Sequence, residues 1–152
     1  MGAKEYLQQG FRLNSRIAAI VREIEYLREV ALFVSKINGM AGAASEKVQS
    51  RGEGDKIGEA VARIADLEAA AMLQVKFLLE LQEKIKKQIA KVANEDLRLI
   101  LYWRYVSFEK WEQIAVSMNY SYRYLLRRHN AALQAFWQKN KKVIEGHYQH
   151  VK

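Results

Sequence analysis

The sequence predicts an all-α protein, and three observations carry that prediction. No proline occurs anywhere in its 152 residues, and proline is the residue a helix interior tolerates least. Good helix formers, Ala, Leu, Glu, Lys, Gln and Arg, dominate the long segments. Apolar residues recur at spacings of three and four, while the alternation that marks a strand is essentially missing. The expected architecture is a long antiparallel, coiled-coil-like helical hairpin over residues 1–93. A second domain of shorter helices follows over residues 94–152.

The first helix is expected from about Lys4 to Lys36, where Leu13, Ile17, Ile20, Ile24, Leu27, Ala31 and Val34 alternate spacings of four and three. The next stretch, INGMAGAASEKVQSRGEGDK, holds four of the eight glycines and predicts a flexible loop over about 37–55. Asp55 is placed to cap a second long helix. Its apolar positions would be Ile57, Val61, Ile64, Leu67, Ala71, Val75, Leu78, Leu81, Ile85, Ile89 and Val92, with an end near Ala93. Two such helices folded back on each other have a thin core, so a homo-oligomer, a dimer in the simplest case, is expected through this hairpin. Asn94 or Glu95 can start a third helix through DLRLILYWRYV, and SFEKWEQIAVSM and SYRYLLRRHNAALQAFWQKNKKVI follow as separate helical units.

Composition narrows the functional classes. The net charge is +8, which suits a polyanionic partner. From Asp96 onward ten Lys/Arg face four Asp/Glu, a balance of +6, against fifteen and thirteen, or +2, in residues 1–95. The excess charge therefore sits mostly in the C-terminal third. With no cysteine there is no disulfide framework, thiol nucleophile or Cys-ligated zinc. No run reaches the roughly 18 apolar residues of a membrane span, and no membrane partner is expected.

The stretch WEQIAVSMNYSYRYLLRRH, residues 111–129, is the most informative. Two short helices joined by a tight turn explain its pattern. Ala115 is small enough to let the second helix cross close to the first, while Ile114, Met118, Tyr120 and Leu125 supply a shared core. Asn119 sits where the turn needs a positive φ, and Ser121 can cap the second helix. That helix, about 122–133, would place Tyr122, Arg123, Leu126 and Arg127 on or near its exposed face at the N-terminal end, the end a helix-turn-helix inserts into the major groove of double-stranded DNA. Tyr122 and Tyr124 can contact thymine methyls, sugars or phosphates, or simply pack. Arg128 stands three beyond Leu125, where such a motif usually buries an aliphatic side chain; either it snorkels past Tyr105 or Trp111 or the helix is rotated slightly. Lys139, Lys141 and Lys142 would reach flanking phosphates. Ser121, Tyr122, Arg123, Tyr124, Leu126, Arg127, Arg128 and the three lysines form the expected DNA-binding set.

Ser107 to Leu133, SFEKWEQIAVSMNYSYRYLLRRHNAAL, resembles region four of bacterial sigma factors, with Trp111, Ile114, Ala115 and Ala132-Leu133 in register. The KEYL start (Lys4 to Leu7), the central GDK (Gly54 to Lys56) and the EAVARIADLE helix (Glu59 to Glu68) complete a pattern similar to small phage and prophage proteins of Gram-positive bacteria, grouped with the RinA and ArpU regulators. The resemblance spans nearly the whole chain. It implies DNA binding and control of phage transcription, late genes above all, in the cytoplasm of a bacterial host cell. It also implies a variant that touches RNA polymerase. Leu126 and Arg128 depart from the sigma pattern, so the base preferences of sigma factors do not transfer.

Other features carry less. Trp103, Trp111 and Trp137 are expected in the core. RGEGDKIG lacks the Gly-Lys-Ser/Thr ending of a phosphate loop and no strand precedes it, although Arg51 and Lys56 could touch a DNA backbone. Glu145, His147 and His150 are close in sequence, but a frayed tail explains them better than a metal site. No residue set looks catalytic, so neither enzymatic activity nor a cofactor or metal is expected. The alternatives are a terminase-like DNA-packaging recognition subunit and a polymerase-binding adaptor without DNA specificity of its own.

Overall fold

The structure is a computed structural model that describes residues 2–41 and 51–149. It is all-helical there, with no strand among the described residues. Six helical segments follow in order: α1 (Ala3–Leu7), α2 (Gln9–Ala41), α3 (Arg51–Ile89), α4 (Glu95–Tyr105), α5 (Trp111–Met118) and α6 (Tyr122–Gln149). Among the described residues no helix is long and apolar enough to cross a membrane.

Several boundaries differ from the sequence expectation. The first helix is divided at Gln8, whose N–H still donates to the Lys4 carbonyl at 2.9 Å, and it then runs on to Ala41. Helix α3 begins at Arg51, so Gly39, Gly52 and Gly54 are helical and Asp55 lies inside α3 instead of capping it. A helical glycine costs about 1 kcal/mol relative to alanine. Extending an existing helix needs only one further residue fixed for each bond gained, which a helix of this length sustains. Residues 42–50 of the expected loop lie outside the described residues.

The other end of α3 stops at Ile89, and two side chains finish the junction. Arg98 donates through Nη1 to the carbonyls of Val92 (2.8 Å) and Ala93 (3.0 Å), serving acceptors just past the helix end. Asn94 Oδ1 accepts from the Leu97 N–H at 3.0 Å and caps α4, as expected from the sequence.

The chain forms two compact units. One comprises residues 14–76 and the other residues 1–13 with 77–152, a grouping by packing instead of chain order. In the 14–76 unit, Arg28 pairs with Glu68 and Arg63 with Glu23, linking α2 to α3. Both pairs are about half exposed, so each contributes under about 1 kcal/mol. The α2 stripe is as expected, with Ile17, Ile20, Ile24, Leu27, Ala31 and Val34 all buried or half-buried. The α3 seam is shifted: Ile57, Ala60, Ile64, Leu67, Ala71 and Gln74 turn inward, while Val61 is 58% and Val75 36% exposed. A strict alternation of three and four keeps one face toward its neighbour, and only the sequence through Ala60 and Gln74 has it.

The other unit holds the main core. Ala3, Tyr6 and Leu7 from α1 pack with Ile85 and Ile89 of α3, Leu101 and Tyr105 of α4, and Ala132, Phe136 and Ile144 of α6. Trp137 packs against this cluster. Buried polar groups tie the same elements: Gln88 Nε2 donates to the Tyr6 hydroxyl at 2.9 Å, and Asn140 Nδ2 donates to the carbonyls of Gln88 (3.2 Å) and Phe136 (3.0 Å). Since Leu7 is fully buried, Leu7→Ala is expected to destabilise this unit by about 2–5 kcal/mol. Denaturant unfolding followed by tryptophan fluorescence measures this directly, because all three tryptophans lie in the same unit. An unchanged midpoint would show that α1 is not part of the cooperative core.

Candidate nucleic-acid interface

Helices α4, α5 and α6 build the C-terminal module around a small core of their own. Ile100, Ile114, Ala115 and Leu125 are buried, and Trp103, Trp111, Met118 and Tyr120 pack against them. These include every residue the sequence nominated for that core. Ala115, 8% exposed, has no side-chain bulk to hold α6 away.

The approach to α5 and its exit are both set by unusual backbone. Phe108 takes φ 58°, and the turn is held by the Glu109 N–H donating to the Trp103 carbonyl at 2.9 Å. The Lys110 N–H then donates to Gln113 Oε1 at 3.2 Å as α5 begins. At the exit Asn119 is left-handed, φ 53° and ψ 42°. Its N–H donates to the Val116 carbonyl, and the Tyr120 N–H reaches back to the Ala115 carbonyl at 2.9 Å. This is a helix stop of the kind asparagine tolerates better than most residues. Ser121 Oγ accepts from the Tyr124 N–H at 3.2 Å and caps α6.

The turn determines which side chains of α6 reach solvent. Tyr122, Arg123, Tyr124 and Arg127 are exposed at its N-terminal end. Arg123 and Arg127 are four apart and share a face, and the Arg127 guanidinium lies over the Tyr124 ring, 5.4 Å from its centroid. Leu126 is half-buried on the flank. Arg128 is drawn away: it is 27% exposed and its Nη2 lies 3.8 Å from Asp96 Oδ2 in the first turn of α4. The Tyr120 hydroxyl donates to the same carboxylate oxygen at 3.2 Å, and partial burial followed by this carboxylate pushes the Tyr120 phenol above its ordinary value. Asp96 thus holds Arg128 against α4, and the expected snorkel is replaced by an ion pair.

Lys139, Lys141 and Lys142 are exposed but stand about 24–29 Å along α6 from Arg123, at about 1.5 Å per residue. Lys141 lies 3.8 Å from Glu145. The lysines and the N-terminal arginines are therefore two separate basic patches on one helix. Lys56 is exposed on α3, while the Arg51 side chain and His150 lie outside the described residues. Among the described residues no group of three His, Cys, Asp or Glu could hold a metal ion.

Sequence reasoning missed a buried polar group behind this face. His129 is 5% exposed and shares a 2.9 Å hydrogen bond between its Nε2 and the Tyr105 hydroxyl. Burial, then the Lys4 and Arg104 charges, hold the imidazole down at about 4, and burial pushes the Tyr105 phenol up to about 12. The available signal was the spacing of His129 between Leu125 and Ala132, both core positions four and three away.

Comparison of the chain with protein-family models, curated proteins and solved structures finds no match to any of them.

Two predictions follow from the turn and the buried pair. Asn119→Ala should destabilise the module by about 1–2 kcal/mol, while Asn119→Gly should be neutral within about 0.5 kcal/mol, since only glycine takes this conformation without cost; equal losses would contradict the left-handed turn. His129 is neutral when folded and titrates near 6.5 when unfolded, so the unfolded chain binds more protons between these values. Stability should fall as pH drops from about 6.5 toward 4, by on the order of 2–3 kcal/mol. Melting curves across that range should show this limb, and His129→Gln should flatten it.

Proposed function

We propose that this chain is a sequence-specific DNA-binding regulator of the phage and prophage type, in which α5, the Asn119 turn and α6 act as a helix-turn-helix of sigma region-four character. The observation that carries the reading is the left-handed stop at Asn119 with the Ser121 cap. It seats α6 on a shared core and leaves Arg123 and Arg127 together at the end that enters a major groove. Either arginine can pair bidentately with guanine, and Tyr122 and Tyr124 are placed for methyl, sugar or phosphate contacts. Membership of the group that includes RinA and ArpU, late-gene control and action in the bacterial cytoplasm belong to the same proposal.

The 14–76 unit is read as an antiparallel hairpin that supplies a dimer interface. Its two ion pairs both join residues forty apart. A parallel pair in that register would separate residues 41 and 51 by about 45 Å along the axis, beyond the roughly 38 Å that ten Cα steps can span. The antiparallel arrangement is within reach. Among the described residues of the unit only Ile24 and Leu67 are buried, whereas Tyr26, Phe33, Ile37 and Met40 on α2 and Val61, Met72 and Val75 on α3 are exposed. Their spacings of seven, four and three, and of eleven and three, place each set on one helix face. A second copy would bury these two stripes, and two copies would read two half-sites.

Fragments of the parent genome should be selected with the pure protein, sequenced, and measured against random DNA across a salt series. A recurring site with two spaced half-sites, bound about a thousandfold or more tighter than random DNA, is expected. Absence of enrichment would overturn sequence-specific binding and favour an adaptor that touches RNA polymerase. Arg127→Ala should weaken the selected site by about 1–3 kcal/mol with little change on random DNA, and an equal loss on both would assign it to phosphate. Light scattering should give twice the 17.6 kDa chain mass; a ring of many subunits would favour the DNA-packaging reading.

A further inference from the structure

A concave surface not used by the proposed function lies within the unit formed by residues 1–13 and 77–152. It is a cavity of about 510 Å³ between the start of the chain, α4, α5 and α6. A volume in this range is that of small-molecule sites, larger than a single inorganic ion requires. Phe11, Tyr105 and Trp111 give it aromatic walls, and Lys4, Arg12 and Arg104 bring three cationic side chains to it. No aspartate or glutamate lines it.

The charge is uncompensated and partly pre-ordered. Arg104 is clamped between two rings, 4.7 Å from the Phe11 centroid and 4.6 Å from that of Trp111, with Nη1 donating to the Glu109 carbonyl at 2.8 Å. Its guanidinium is thus fixed before any ligand arrives, which lowers the ordering cost of binding. Lys4 and Arg12 are exposed at the rim, and neither forms an ion pair among the described residues. Behind them stands His129, held neutral by burial and then by the Lys4 and Arg104 charges. A concave, partly desolvated site with three unpaired positive charges and flat apolar walls favours one ligand chemistry over others.

The geometry points to a binding site for a small aromatic anion, a ring bearing a carboxylate or phosphate, with the ring in the cavity that Phe11, Tyr105 and Trp111 wall and the anionic group between Lys4, Arg12 and Arg104. The site is independent of the DNA-binding reading. A duplex backbone would touch the rim lysine and arginine from outside, whereas a compact ring fits into the open cavity.

Phenyl phosphate is the probe, titrated into the full chain by calorimetry with benzyl alcohol as the uncharged control. Saturable one-to-one binding at about 1 mM or tighter is expected for phenyl phosphate, with benzyl alcohol much weaker. The double variant Lys4→Gln/Arg12→Gln alters two exposed side chains, and it should weaken binding about tenfold or more while melting like the parent chain. Nuclear magnetic resonance should show the His129 imidazole titrating above its free value of about 4 once the anion is bound, because a nearby negative charge favours the imidazolium. No saturation by about 10 mM, equal binding by the double variant, or equal affinity for benzyl alcohol would each overturn the proposal. So would displacement of the probe by a short DNA duplex whose affinity the double variant loses in the same proportion, since the cations would then be backbone contacts.

Discussion

The buried stripe of α6 is the constraint on which the C-terminal module and its surroundings depend. Leu125, His129, Ala132, Phe136, Asn140 and Ile144 are all buried, at spacings of four, three, four, four and four. One end of the stripe closes the small core of α4 and α5, and the remainder forms the larger core with α1 and α3. Two positions in it are polar, and a buried polar group without a partner costs more than a bond gains. His129 is met by Tyr105, and the Asn140 Nδ2 by the Gln88 and Phe136 carbonyls, while Asn140 Oδ1 has no hydrogen-bond partner among the described residues. Gln88 in turn reaches Tyr6, so satisfying α6 draws in residues from both distant ends of the sequence.

That inner stripe also determines what α6 can offer to a partner. A helix with one face buried presents the opposite face, and the turn at Asn119 places its N-terminal end clear of α5. Arg123 and Arg127 are available as a result, while Arg128, one residue on, meets Asp96. Three arginines within six positions therefore have two roles. The distinction depends on a carboxylate from the first turn of another helix.

The 14–76 unit shows how a seam is chosen when the apolar residues permit more than one. The inward positions of α3 include Gln74, whose Oε1 is buried without a partner, while Val75 next to it faces out. A polar residue kept in the seam at the expense of a neighbouring valine is what a coiled coil uses to prefer one register. The apolar residues left outside that seam, Tyr26, Phe33, Ile37, Met40, Val61, Met72 and Val75, are exposed.

The sequence by itself determined the all-helical class, because helix formers without proline leave few alternatives over such lengths. It also determined the turn at Asn119, the caps at Asn94 and Ser121 and the core of α5, since each depends on residues within a few positions of one another. It did not reveal the helical state of Gly39, Gly52 and Gly54, which depends on helix extension outweighing a local penalty. Nor did it reveal the α3 seam, because Val61 and Ala60, or Val75 and Gln74, are separated only by which face the neighbouring helix takes. The partners of His129 and Arg128, and the burial of Ala3, Tyr6 and Leu7 beside Phe136, were decided by tertiary structure alone. These pairings join residues 24 to more than 130 positions apart, and no local periodicity records a contact that chain folding makes only once both sides are in place.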